Sequence, residues 1–176
     1  MHRIKVWDPF VRIFHWTLVC LFAGNALIIN HHSKVHRWVG YVIVGLVLFR
    51  GIWGFLGTRY ARFYSFRPSV SGAIEQARGM LRKGGPVHVG HTPLGAWMIY
   101  NLLLSMLVIG VSGYVIRLDA FWGLEWPERL HALAVTWAEI SVAVHISAVI
   151  WESRRSRVNL PLSMVNGYKD LPDEHL

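Results

Sequence analysis

LHALAVTWAEISVAVHISAVIW, residues 130–151, is the stretch whose reading decides the fold. Its only ionisable side chains are His131, Glu139 and His145; the rest are apolar or small hydroxyl residues. A run of this length and apolarity predicts a helix across a bilayer, whose hydrocarbon core takes about 20 residues to span. At about 100° per residue, the fourteen positions from His131 to His145 fall roughly 40° short of four turns and cover ~21 Å. Both histidines therefore lie on one stripe, one near each membrane surface. Glu139 points roughly 80° from the first and 120° from the second, on a flank at intermediate depth. A lone histidine here would be a hydrogen-bonded interior residue or an interfacial one. Two on one stripe are harder to read that way, because ionisable groups are costly in a membrane, face the bundle interior and mark paths for protons, ions or electrons.

Outward from this segment the chain repeats the pattern. Further spans are predicted over about residues 11–29, 35–56 and 94–116, giving an all-α, integral membrane, four-helix up-and-down bundle as one domain over 1–176. The first span is read as a retained helix and not a cleaved signal, because it is long enough to cross. Of 176 residues 53% are hydrophobic, a membrane composition. The net charge of +8 forms no single patch, so no nucleic-acid partner is expected. Fourteen of the eighteen lysines and arginines fall on one side, at the two termini, in the loop 57–90 and, with Arg50, near the end of the second span that leads into it. The positive-inside rule then places both termini and that loop in the cytoplasm. Within the loop, Tyr60-Ala-Arg-Phe63 and 70–83 read as aromatic-basic and amphipathic segments on the membrane surface. The tail 156–176 reads as a polar, proline-containing surface segment. Cys20 is the only cysteine, which excludes an intrachain disulfide and covalent haem attachment through Cys-x-x-Cys-His.

Up-and-down threading sorts the histidines by depth. His15 on the first helix and His145 on the fourth lie near the cytoplasmic surface; His36 on the second and His131 on the fourth lie near the outer one. His31 and His32 are close enough in sequence to compete with His36. Arg50, fourteen residues after His36 on nearly the same face, either meets an acidic cofactor group or snorkels to the interface. Structural zinc takes four ligands, and catalytic zinc three with an open position. Two facing imidazoles across a bundle suit haem iron better, with Gly24, Gly40 and Gly45 leaving room for the ring. Imidazole on both axial positions leaves no open position, so electron transfer follows. Two readings compete with this one: a proton or metal transporter lined by His131, His145 and Glu139, and a plain membrane anchor subunit. His88 and His91 read as loop or helix-end residues. The third span, with Asn101, Ser105 and Ser112, reads as a packing helix that Gly110 and Gly113 let approach closely.

Arg12-Ile-Phe-His15-Trp16, His36-Arg-Trp-Val-Gly-Tyr41, Arg50, Arg59-Tyr-Ala-Arg-Phe63, His91-Thr-Pro-Leu-Gly95 and the His131–His145 spacing occur in that order. Together they resemble the bacterial cytochrome b561 superfamily, including the cytochrome b subunits of nickel-iron hydrogenases, over nearly the whole chain. The resemblance implies two b-type haems, with His15 and His145 ligating the cytoplasmic-side iron and His36 and His131 the outer one. It also implies electron exchange between the quinone pool and a redox partner such as a c-type cytochrome or a hydrogenase. A homodimer stays open, as does quinone-reactive oxidoreductase activity. Some members oxidise superoxide at the outer face and reduce quinone, but no residue here matches their superoxide site. Glu139 departs from the family pattern. A quinone site is expected beside one haem edge, using either Lys34, Arg37 or the 122–129 loop outside, or the 60–67 stretch inside.

Overall fold

The structure, a computed structural model, describes residues 2–81 and 89–171. It is mostly helical, and four helices are long and apolar enough to cross a membrane: α1 Pro9–Leu27, α2 Lys34–Leu56, α4 Pro93–Val115 and α5 Trp126–Ser156. Two shorter helices, α3 Val70–Leu81 and α6 Leu160–Asn166, complete the set. Their starts are written locally. Asp8, Ser33, Ser69, Thr92 and Asn159 each accept a hydrogen bond from the backbone N–H three residues on, opening α1, α2, α3, α4 and α6. Proline follows directly at Pro9 and Pro93, where its missing N–H forfeits nothing. α6 ends on Gly167, whose φ of 90° suits a residue without a Cβ.

The described chain divides into two compact units. The first comprises Met1–Arg12, Trp53–Tyr100 and Val144–Leu176. It contains strand β1 (His2–Lys5) paired antiparallel with β2 (Tyr168–Leu171), in the register His2↔Leu171 to Lys5↔Tyr168. This pairing brings the two ends of the chain together, as an even number of crossings requires. The tail, expected to be a polar, proline-containing surface segment, forms α6 and β2 as far as Leu171. Trp7 Nε1 donates to Ser163 Oγ at 3.1 Å, and an Arg12 guanidinium nitrogen donates to the Val165 carbonyl at 2.7 Å. Asp8 accepts from Val11 N, Thr58 Oγ1 and Trp53 Nε1 at 2.9, 2.6 and 3.2 Å. Burial acts to raise the Asp8 carboxyl pKa, but these donors outweigh it and hold the carboxyl below its ordinary value. Lys169, buried, donates to the Gly90 carbonyl at 2.9 Å and lies 5.4 Å from the Trp7 ring centre. The amphipathic segment expected over 70–83 is helix α3 as far as it is described; its end, Gly84-Gly85-Pro86 and His88 lie outside the described residues.

The second unit, Ile13–Ile52 with Asn101–Ala143, draws on all four long helices. Its core joins Ile43 and Val47 of α2, Met106 of α4 and Ala138 of α5, with Leu18, Leu21 and Phe22 of α1 packed against them. Most remaining apolar side chains point outward, among them Ile13, Leu27, Trp38, Ile52, Leu104 and Leu133. Such a surface belongs in lipid, where apolar side chains lose nothing by facing out. A Cβ at Gly110 would run into Val44, so this glycine sets how closely α4 approaches α2. α4 and α5 are also tied by Asn101, whose Nδ2 donates to Ser141 Oγ at 2.9 Å and whose Oδ1 accepts from Trp137 Nε1 at 2.9 Å. The last spanning helix begins at Trp126 and runs to Ser156, longer than the predicted 130–151, because Arg129 N bonds back to the Glu125 carbonyl and basic residues close its final turn.

Candidate functional site

Within the four-helix unit, the side chains that face each other are His36 of α2 and His131 of α5, their ring centres 6.4 Å apart and their planes inclined at 74°. Two imidazoles bound to opposite sides of one metal ion, each nitrogen about 2 Å from it, place their ring centres roughly 6 Å apart. The observed spacing is close to that of such a pair. The 74° between planes is compatible with it, since each ring turns freely about the metal–nitrogen axis.

Each ring is placed from behind by its own helix surroundings. His36 sits in the first turn of α2, whose start is fixed by Ser33. Its Nδ1 is buried without a well-formed hydrogen bond, while the Asn25 main chain acts on the ring at looser geometry. His131 is held more firmly. Its Nδ1 lies 3.0 Å from the Ile109 carbonyl oxygen and 3.1 Å from Ser112 Oγ, both on α4. Gly113 leaves the room for this, since a Cβ there would sit 3.1 Å from the His131 ring. On the other side, a Cβ at Gly24 of α1 or Gly40 of α2 would meet nothing within 4 Å, and Gly40 follows His36 by one helical turn. A side chain is thus absent from both positions without any neighbour filling its place.

His15 belongs to the same unit, half-buried on α1 and edge-on to Trp16 at 5.1 Å. His145, half-buried on α5, falls in the first unit. Arg50 is almost fully buried at 4% exposure on α2, so it does not snorkel into open solvent. Of the neighbouring histidines, His31 stands edge-on to His36 at 5.9 Å. His91 is packed between Trp7 and Phe66, at 4.6 and 4.2 Å. Glu139 is exposed on α5 while the preceding Ala138 is fully buried, so the carboxyl does not share the histidine face. Among the described residues no three His, Cys, Asp or Glu side chains converge as a metal cluster.

The residues behind His131 were not legible as site residues. Ser112 and Gly113 read as parts of a packing helix, and the Ile109 contribution is a backbone oxygen, which carries no sequence signal. What sequence does contain is a small-residue pair, Ser112-Gly113, on a helix otherwise rich in large apolar residues.

A family model described as prokaryotic cytochrome b561 matches residues 6–167. Two curated relatives, each described as a probable Ni/Fe-hydrogenase B-type cytochrome subunit, come from Azotobacter vinelandii and Rhizobium leguminosarum bv. viciae. Each is 22% identical, with 97% of this chain covered and 90% and 91% of the relatives respectively. No solved structure matches.

Proposed function

Because the chain belongs to the prokaryotic cytochrome b561 family, we propose that it conducts electrons across the membrane through two bis-histidine b-type haems, between a partner redox protein and the quinone pool. That it is a multi-pass prokaryotic membrane protein serving b-type haem electron transfer follows from the family and the four apolar helices. In the fuller reading, His36 and His131 hold the outer haem, and His15 and His145 the cytoplasmic-side one. Arg50 meets an acidic group of the cofactor. The chain works as a single domain in the inner membrane with both termini in the cytoplasm.

The observation that carries this is the His36–His131 pair at 6.4 Å with open space at Gly24 and Gly40. When bound, the haem supplies reversible one-electron iron chemistry. The chain's own residues would hold that group through one imidazole from α2, His36, and one from α5, His131. The relatives' description as hydrogenase cytochrome subunits supports a hydrogenase as the partner. Glu139, exposed away from the histidine face, counts against the transporter reading.

The test is a reduced-minus-oxidised visible spectrum with haem quantitation on the purified protein and on His36→Ala and His15→Ala. Two b-type haems per chain, with each variant losing a different one, is the expected result. A preparation free of haem would sink the proposal.

A further inference from the structure

The hydrogen bonds behind His131 permit a count of protons. Ser112 Oγ lies 2.6 Å from the Val108 carbonyl and 3.1 Å from that of Ile109, so its single proton is committed to the backbone of its own helix. That is ordinary behaviour for a serine inside an apolar helix. With the proton spent there, Ser112 can only accept from a further partner. Its further partner is His131 Nδ1, at 3.1 Å, which also lies 3.0 Å from the Ile109 carbonyl oxygen. A carbonyl oxygen accepts and never donates, so Nδ1 must carry a hydrogen, shared between two acceptors. The neutral ring then has its lone pair on Nε2.

We infer that Ser112, with the Ile109 carbonyl, is a positioning residue that fixes the Nδ1-protonated tautomer of His131 and strengthens Nε2 as a donor to haem iron. The inference rests on the proposed haem ligation. Its physical basis is that acceptors behind a ligating imidazole set its tautomer and orientation and raise its basicity. A more basic ligand favours the oxidised, more positive iron and lowers that haem's midpoint potential. Behind His36 of the same pair the hydrogen-bonding group is the Asn25 main chain, at geometry that leaves Nδ1 without a well-formed bond. Gly113 completes the device: a Cβ there would come within 3.1 Å of His131 Cε1 and 3.3 Å of Nδ1, pressing the ring away from both oxygens.

The experiment is a redox titration of the holoprotein, with electron paramagnetic resonance of the oxidised low-spin haems, on wild type, Ser112→Ala, Ser112→Thr and Gly113→Ala. Ser112→Ala is expected to raise the midpoint of one haem, leave the other in place, and move the g-values of the shifted haem alone. Ser112→Thr, which keeps the hydroxyl, restores the wild-type midpoint. Gly113→Ala shifts the same haem in the same direction without touching the hydroxyl, so a folding failure of Ser112→Ala does not end the test. Unchanged midpoints in both alanine variants, or equal shifts of both haems, would overturn the inference while leaving the haem reading intact. Absence of haem from the wild type overturns the haem reading, and the inference with it.

Discussion

The two compact units of this chain are held together by different physics. In the first, buried charges do the joining. Asp8 collects three donors, Arg12 reaches the Val165 carbonyl, Lys169 reaches that of Gly90, and Glu152 takes two hydrogen bonds from Arg155. In the second, the core is aliphatic, with side-chain hydrogen bonds from Asn101, Ser112 and His131 among those across it and Arg50 as a buried charge on α2. The difference follows from surroundings. Where water is near, a charge buried with partners can be solvated in the unfolded state and still be satisfied in the folded one. Inside a bilayer, association rests mainly on close packing and a few neutral hydrogen bonds, because charges there are costly and are kept for a function, as proposed for Arg50.

The strongest way to break the first unit is Asp8→Ala. It removes the α1 cap and leaves the Thr58 and Trp53 donors without their acceptor, for a loss of about 3 kcal/mol. Thermal melts in detergent should show it, with the haem spectrum of the four-helix unit preserved in the folded fraction. The same carboxylate gives a pH signature. Its folded pKa is lowered, so its stabilisation is complete above the ordinary carboxylate range and is lost as pH falls through the folded value. Wild type should therefore lose more stability on acidification than Asp8→Asn.

Next in size is the corresponding injury to the second unit. Gly110→Ala places a methyl group against Val44 and should cost about 1–3 kcal/mol by overpacking. Haem retention after mild heating is the readout, and limited proteolysis of the loop 57–62 should be unaffected. Lys169 sharpens the contrast further. Burial is the main reason its pKa falls to about 8 from 10.5, with the charge of Glu152 partly opposing. Below pH 8 both folded and unfolded chains carry the proton, and the burial penalty is fully present. Between about pH 8 and 10.5 the unfolded chain binds more protons, so stability rises with pH by at most roughly 3 kcal/mol. Melting midpoints measured across this window should climb for wild type relative to Lys169→Met. The smallest effect belongs to Glu139→Gln. An exposed carboxyl off the histidine face should leave both haem potentials and their pH dependence unmoved, and a clear shift in either would return Glu139 to the functional site.

What sequence disclosed tracks the range of the forces involved. The spanning helices are local matters of apolar length; the caps at Asp8, Ser33, Thr92 and Asn159, equally local, came to light in the structure. The histidine depths follow from counting along those helices, and His36 and His131 do face each other. The β1–β2 pair was not visible, because four-residue strands with mixed side chains leave almost no alternation to detect. The end of α5 extends through Glu152 and Arg155 because an i,i+3 ion pair supports a turn that apolar length alone does not mark. Nor was the Ile109 and Ser112 contact to His131, since the rotational register of α4 against α5 depends on packing at Ala138, Asn101 and Ser141.

The pairing of β1 with β2 has a consequence for how the protein is made. The first strand leaves the ribosome before any helix and must remain unpaired until β2 emerges after all four spanning helices. Closing so long a loop is entropically slow, and it makes this small sheet among the last native contacts to form. A chain truncated before Tyr168 leaves β1 with an unpaired edge, the kind of edge on which another strand can pair.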